Sequence, residues 1–390
     1  YDNSPRQWVP EPQSDMSARR TGKPQPKSEA ATDGDRPPTP KAMPKVDVPA
    51  LLRTDKVNQA GFTGQGVNVA IIDSGYDHPD VPLVDWHDVI DGSDKPVDPV
   101  GHGTHCASDV KTCAPDAGLV AIRVMNEKGE GRPSDIIRGI QYAISHKDQD
   151  HIGVINLSLG GPEDGTPSSE DPLDRAVEAA WNAGIVVVSA AGNSGPQNKT
   201  VGAPGDDPKA ISVGAALNPN EVSFFSSRGP TSDGKSKPDI TAPGEYIVGW
   251  AVPNTEIDDM AKTMDKIRSL NDKQLVGLLK KNPDFSQALG LPDDIMTMPA
   301  DQRDNLVWSH LEPMYKPSDD TVAAPGTSFA SPEVAGVAAD LLSAKPDASP
   351  SEIKTALTST ARNMGSQFGP NDQGKGFVDA FAALQKLQSA

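Results

Sequence analysis

The chain has 390 residues, with 36 Lys and Arg against 54 Asp and Glu, for a formal net charge of −18. Such acidity excludes a general nucleic-acid or anionic-membrane binder. It reads as solubility, with bound cations as the sharper alternative. No apolar run is long enough to span a bilayer, and two cysteines are too few for a disulfide-built scaffold.

Residues 1–45 are rich in Pro, Ser, Lys, Arg and Asp, with Trp8 and Val9 as rare bulky apolar residues. That composition buries too little surface to offset the entropy of ordering. It predicts a flexible, slightly basic arm, either a linker or the remnant of a propeptide. The chain begins at Tyr1 without a secretion-signal pattern, so its original start is expected to have been removed. From Val46 the composition turns globular, and residues 46–390 are expected to form one domain.

A helix is predicted from Leu51 to Ala60, followed by a glycine-rich turn to Gly66. Val67 to Ile72 is a continuous apolar strand, as in a buried parallel sheet. Further strands are expected at 119–125, 154–159, 185–190 and 210–214, with helices at 134–145 and 172–183. Alternating strands and helices argue for a parallel sheet covered on both faces, with ligands bound beyond the strands' carboxyl ends. Asp73 and Asn193 both fall at such ends.

Ile257, Met260, Met264 and Ile267 then repeat at helical spacing behind Asn254 and Thr255 as candidate caps. Asn271 and Gln274 form a capping-box start for Leu275, Leu278 and Leu279. Pro299 to Leu311 completes a three-helix unit. Gly326-Thr327-Ser328 is a tight turn into an apolar helix, Phe329 to Leu342. A serine there presents its hydroxyl beside unpaired backbone N–H groups at a helix start. A last helix, Ser349 to Ala361, precedes Gly374-Lys375-Gly376-Phe377-Val378-Asp379-Ala380.

Serine is a poor nucleophile without a base. The chain supplies one in Gly101-His102-Gly103-Thr104-His105-Cys106-Ala107. It adds an acid in Asp73-Ser74-Gly75 and an amide in Ala190-Ala191-Gly192-Asn193. Alone, Asp-Ser-Gly is an ordinary turn, and a serine before a helix is an ordinary cap. Together, in the order Asp, His, Asn, Ser, they supply every role of an acyl-transfer site.

In these four motifs and their order the chain resembles the subtilisin-like serine peptidases. The resemblance covers about 46–252 and 318–390. Residues 253–317 then become a helical insertion, because the family follows Thr241-Ala242-Pro243-Gly244 with a short hairpin. As a decoration, a lid or a partner dock, its role stays open. The resemblance implies an α/β, three-layer fold with a mostly parallel central sheet and helices on both faces. It implies a serine endopeptidase with Ser328 as nucleophile, His102 as base and then acid, and Asp73 as the carboxylate that orients His102. Asn193 and the Ser328 N–H are the implied oxyanion donors. His105 is expected to be structural.

By the same resemblance, Gly129, Glu130 and Gly131 and the segment Ser158, Leu159 and Gly160 sandwich an extended peptide. Ala190, Ala191, Gly192 and Gly202 would wall the pocket for the residue before the cut, favouring apolar side chains. Pro133 stands where the family often has an aromatic, which alters the more distant apolar subsite. Glu130 is either a solvated charge or a selector of upstream basic residues. No cofactor is expected for the chemistry. Structural calcium stays open, although the loop of the family's strong site looks deleted while Asp80 survives. Cys106 follows the histidine motif as in proteinase K-like members; Cys106 and Cys113 are either free buried thiols or a disulfide. The expected partners are a protein or peptide substrate, with a prodomain or inhibitor in the cleft. A secreted, extracellular monomer is anticipated. The rivals are a silent peptide-binding protein and a peptide ligase on the same fold. No glycine-rich phosphate loop supports a nucleotide binder.

Overall fold

The computed structural model describes residues 3–7, 43–282, 285–286, 291–292, 294–311 and 313–389. Its strands in chain order are β1 (Arg6–Gln7), β2 (Asn68–Asp73), β3 (Asp85–Asp88), β4 (Gly118–Arg123), β5 (Glu130–Gly131), β6 (Ile152–Leu157) and β7 (Val186–Ala190). They continue as β8 (Ile211–Asn218), β9 (Glu221–Val222), β10 (Ile240–Pro243), β11 (Ile247–Trp250), β12 (Tyr315–Ser318) and β13 (Thr321–Ala324). The central sheet runs β10-β8-β7-β6-β2-β4-β3, parallel at every pairing, with β9 added antiparallel to β8. A mostly parallel α/β sheet is thus the observed architecture.

Its two faces are visible in β2 alone. Side chains alternate with a period of two. Val69 and Ile71 enter one apolar core with the helices His102–Cys113 and Thr327–Ala344. Ala70 and Ile72 enter the other, with the helices Pro133–His146 and Pro172–Asn182. That makes three layers, helix, sheet and helix.

Helix Thr327–Ala344 is buried from Thr327 to Leu342 and belongs inside because it is apolar all round. Gly336 lets it touch helix His102–Cys113, since a Cβ there would lie 2.8 Å from the Cys113 Cβ. Two acidic residues are exceptions on this helix, Asp340 and Glu333; Glu333 is fully buried, and neither of its carboxylate oxygens has a hydrogen-bond partner among the described residues. Burial first, then the charge of Asp109, pushes its carboxyl well above the ordinary range. A carboxyl raised on folding stabilises below its unfolded pKa, and that benefit is lost as pH rises towards its folded pKa. Glu333→Gln should therefore match the wild type near pH 4. It should then gain about 1.4 kcal/mol of relative stability per pH unit above that. Urea unfolding at pH 4, 6 and 8 checks this, and a pH-independent difference would contradict it.

The predicted Leu51–Ala60 helix is two helices, Val48–Leu52 and Thr54–Gln59. The Asp47 side chain caps the first, accepting from the Ala50 N–H. Arg53 interrupts them with φ of 63°, held by an ion pair to Asp379 at 2.7 Å and by the Phe381 ring beneath its guanidinium. A tertiary contact overrides local propensity there.

The 253–317 unit is spliced into a hairpin. β11 pairs antiparallel with β13, Trp250 opposite Thr321, and the added helices leave from that tip. They are Glu256–Arg268, Asp272–Lys281 and Ala300–His310, near the predicted spans. Leu275, Leu279, Ile295 and Val307 pack with Ile267 as a separate small core. Ile257 and Ala261 instead join the main core, and Lys316 is 2.6 Å from the buried carboxylate of Asp258. The unit is therefore rooted in the domain by its first helix.

Of the predicted arm, residues 8–42 lie outside the described residues. Arg6–Gln7 form a strand, antiparallel to β5, with Arg6 opposite Gly131 and Gln7 opposite Glu130. Gln7 Nε2 donates to Lys128 O at 3.0 Å, and Asn3 Oδ1 accepts the Ser134 N–H at 2.9 Å. The arm is anchored at its tip, which its composition did not predict.

Candidate active site

β2 delivers Asp73 at its carboxyl end, and the next helix begins at His102. Gly101, before it, has φ of 85°, and a Cβ there would lie 2.6 Å from Thr255 Oγ1. Only glycine suits both that conformation and that space. His102 Nδ1 lies 2.8 Å from Asp73 Oδ1, and both side chains are almost fully buried. The short contact to a carboxylate fixes the neutral tautomer with its proton on Nδ1, leaving Nε2 as the acceptor.

Asp98 was not singled out in the sequence, yet it joins the two elements. Its Oδ1 accepts from Ser74 Oγ at 2.8 Å and from the Gly101 N–H at 2.8 Å. Its Oδ2 accepts from the Thr104 N–H at 2.8 Å and from Thr104 Oγ1 at 2.7 Å. Ser74 Oγ accepts the Gly103 N–H in turn. The available signal was an Asp just before a helix start, the residue type that binds orphan N–H groups.

Burial favours neutral His102, but the charge and hydrogen bond of Asp73, with Asp98 and Asp109 behind them, outweigh it. The net effect raises the pKa above the ordinary 6.5. A base must be unprotonated to work. Activity, as kcat/KM, should thus fall as pH drops through an inflection above 6.5. A pH–rate profile with its acid limb below 6 would contradict this.

Ser328 sits in the first turn of its helix, almost fully buried. Four residues on, Pro332 cannot donate the helical bond that the Ser328 carbonyl would otherwise accept. Ser158 Oγ fills that role at 2.6 Å, and Cys106 Sγ approaches to 3.4 Å. Asn156 Nδ2 holds the Ser158 hydroxyl at 2.9 Å, and Ser331 Oγ holds Asn156 Oδ1 at 2.8 Å. Ser328 Oγ itself donates to the Ser158 carbonyl at 3.2 Å. His102 Nε2 is buried with no hydrogen-bond partner among the described residues. Cys106 Sγ lies 3.7 Å from His102 Nδ1, so one thiol touches both His102 and Ser328. Cys106 and Cys113 are both free, and burial pushes both thiols well up.

Asn193 stands just past β7. Its Oδ1 accepts from the Thr327 N–H and from Thr327 Oγ1, both at 2.9 Å. Holding the oxygen against Thr327 turns the Nδ2 amine the other way. His105 is spent on structure, with Asp109 at 3.0 Å from Nδ1 and the Val322 carbonyl at 3.2 Å from Nε2.

The predicted subsite residues divide. Gly129 turns into β5, whose Glu130 and Gly131 carry β1. Glu130 Oε2 accepts from Asn126 Nδ2 at 3.0 Å, which ties that carboxylate into its own turn. Ser158 serves the Ser328 carbonyl, and the Leu159 side chain is core, leaving their backbone and Gly160 as edge. Ala190 and Ala191 are small and buried, and the Gly192 N–H donates to Thr327 Oγ1 at 3.1 Å. Gly202 borders a cavity shared with Pro133, Glu163, Asp164 and Asp206. The sequence reading expected no carboxylate among such walls.

Among the described residues, one group offers three close metal-competent side chains: Asp73, His102 and Cys106. The Asp73–His102 hydrogen bond already accounts for its closeness. Asp80 is exposed, and helix His102–Cys113 runs almost directly into β4. The carbonyls of Asp207 and Ala210 accept from Lys237 Nζ at 2.6 and 3.1 Å.

The sequence model of the subtilase family matches residues 64–376. The serine protease AprX of Bacillus subtilis is 35% identical over 348 residues, which cover 83% of this chain and 67% of AprX. Subtilisin DY of Bacillus licheniformis is 32% identical over 348 residues, 86% of this chain and 97% of that one. Among solved structures, a lanthipeptide protease aligns with a TM-score of 0.59 at 24% identity. The alignment spans 87% of this chain and 93% of that one, a likeness of fold.

Proposed function

The chain belongs to the subtilase family of serine-type endopeptidases, and from that premise we propose that it cleaves extended protein segments through an acyl-enzyme on Ser328. The observation that carries this reading is the buried Asp73–His102 pair beside Ser328, with Nε2 left as an open acceptor. A change of Ser328 χ1 rotamer takes Oγ off the Ser158 carbonyl and towards Nε2. His102 removes the hydroxyl proton as Oγ attacks the peptide carbonyl carbon. Asp73 stabilises the resulting imidazolium without taking its proton. Asn193 Nδ2 and the Ser328 N–H receive the oxyanion. His102 then protonates the departing amine, and the same groups run the steps in reverse with water to release the acid.

β5 and the Ser158–Gly160 edge hold the acyl side of the substrate by strand addition. Ala190, Ala191 and Gly192 wall the pocket for the residue before the cut, and their smallness favours apolar side chains there. The chemistry requires no metal. Among the described residues no helix is long and apolar enough to cross a membrane. We propose an extracellular monomer on the family resemblance and the acidity of the chain.

Digestion of an unfolded protein with and without an added amine tests the reading. Peptides ending in free carboxylates are expected. Amide products at equal yield in dilute amine would favour a ligase. No cleavage by folded protein would favour a silent binder.

A further inference from the structure

Beside the proposed peptide edge lies a cavity that the reaction does not use. Glu163, Asp164, Asp171 and Asp206 line it with Pro133, and among the described residues its one basic lining residue is Arg6. Asp206 is 3% exposed, and its Oδ1 has no hydrogen-bond partner among the described residues. Glu163 Oε2 is likewise buried and unpartnered, while Oε1 accepts the Gly165 N–H at 2.7 Å. Asp171 already caps a helix, accepting the Leu173 N–H at 2.7 Å. Buried carboxylate oxygens without partners are costly, and a guanidinium supplies several donors at once.

Arg6 is brought there by the backbone pairing of β1 on β5, the geometry expected of a bound peptide. Asp164 is held below the usual carboxylate range, first by the Thr166 backbone N–H and further by the Arg6 charge. The position along the edge is fixed by Ser158, which touches Ser328, and by Gly161 to Asp164, which begin three residues later. Three extended residues span about 10 Å.

We propose that this cavity is a specificity subsite for a basic side chain, arginine above all, lying a few residues upstream of the cut, with Arg6 as its built-in occupant. The placement upstream rests on the catalytic reading above; the choice of a cation does not. Glu130, from sequence either a solvated charge or a selector of upstream basic residues, is tied to Asn126, so the selector role falls to these four carboxylates.

The test uses the chain without residues 1–7 and with Ser328→Ala, which removes cleavage, the Arg6 occupant and the β1 backbone that pairs with β5. Two labelled peptides are titrated by fluorescence anisotropy. One copies residues 3–9, and its twin carries norleucine in place of Arg6. The arginine peptide should bind about tenfold tighter, and Glu163→Gln with Asp164→Asn should erase the contrast. Equal affinity, or no binding of either peptide, would overturn the subsite. Because the contrast lies in the peptide, it is independent of any effect of substitution on folding. Hydrolysis by the chain with native Ser328 is a separate readout, so failure of the catalytic reading and failure of the subsite are told apart.

Discussion

Replacing Ser328 by Ala should lower kcat about 10⁶-fold and leave the fold intact. The figure belongs to a subtilisin, a relative in the same family, and is carried over from it. The fold should survive for local reasons. Alanine is the best helix former. The Ser328 carbonyl, not its hydroxyl, anchors this turn through Ser158 and Cys106. The hydrogen bond from Oγ to the Ser158 carbonyl is long at 3.2 Å. His102→Ala should cost about as much, and the double variant little more, because a base without its nucleophile has nothing to activate. Peptide hydrolysis, with circular dichroism as the control for folding, checks this. Turnover within tenfold of wild type in Ser328→Ala would remove Ser328 from the chemistry.

Asn193→Ala should lower kcat by about 10²–10³ with little change in KM, again a magnitude borrowed from a subtilisin. The argument is one of timing. A donor aimed at the oxyanion binds the transition state better than the ground-state carbonyl, so its loss appears in kcat. Thr327 makes the geometry firm by holding Asn193 Oδ1 twice. Asn193→Asp should not rescue the activity, since a carboxylate has no proton to donate. A raised KM at unchanged kcat would instead assign Asn193 to substrate binding.

The parts legible in the sequence were those governed by short-range rules. The apolar run ending at Asp73 announced a buried parallel strand. The turn at Gly326 announced the start of an apolar helix. Four short motifs in one order announced the family. What escaped was set by contacts distant in sequence. Asp98 became visible only once β2 and helix His102–Cys113 were side by side. Arg53 broke a predicted helix because Asp379 and Phe381 lie beneath it. Arg6–Gln7 belonged to a stretch whose composition argued against order, yet strand pairing draws on the backbone, which composition does not report. The helical insertion was foreseen as a unit. Its contact with the site, Thr255 packed against Gly101 next to His102, required the fold.

The central claim is that Asp73, His102 and Ser328 form one working relay. Labelling with a fluorophosphonate probe tests it most directly, because only an activated serine is phosphonylated. Residues 1–7 should be removed first, so that β1 cannot cover the edge. Mass spectrometry should then place a single adduct on Ser328 and find none in His102→Ala. A folded, trimmed chain that takes no label, or takes it on another residue, would contradict the account.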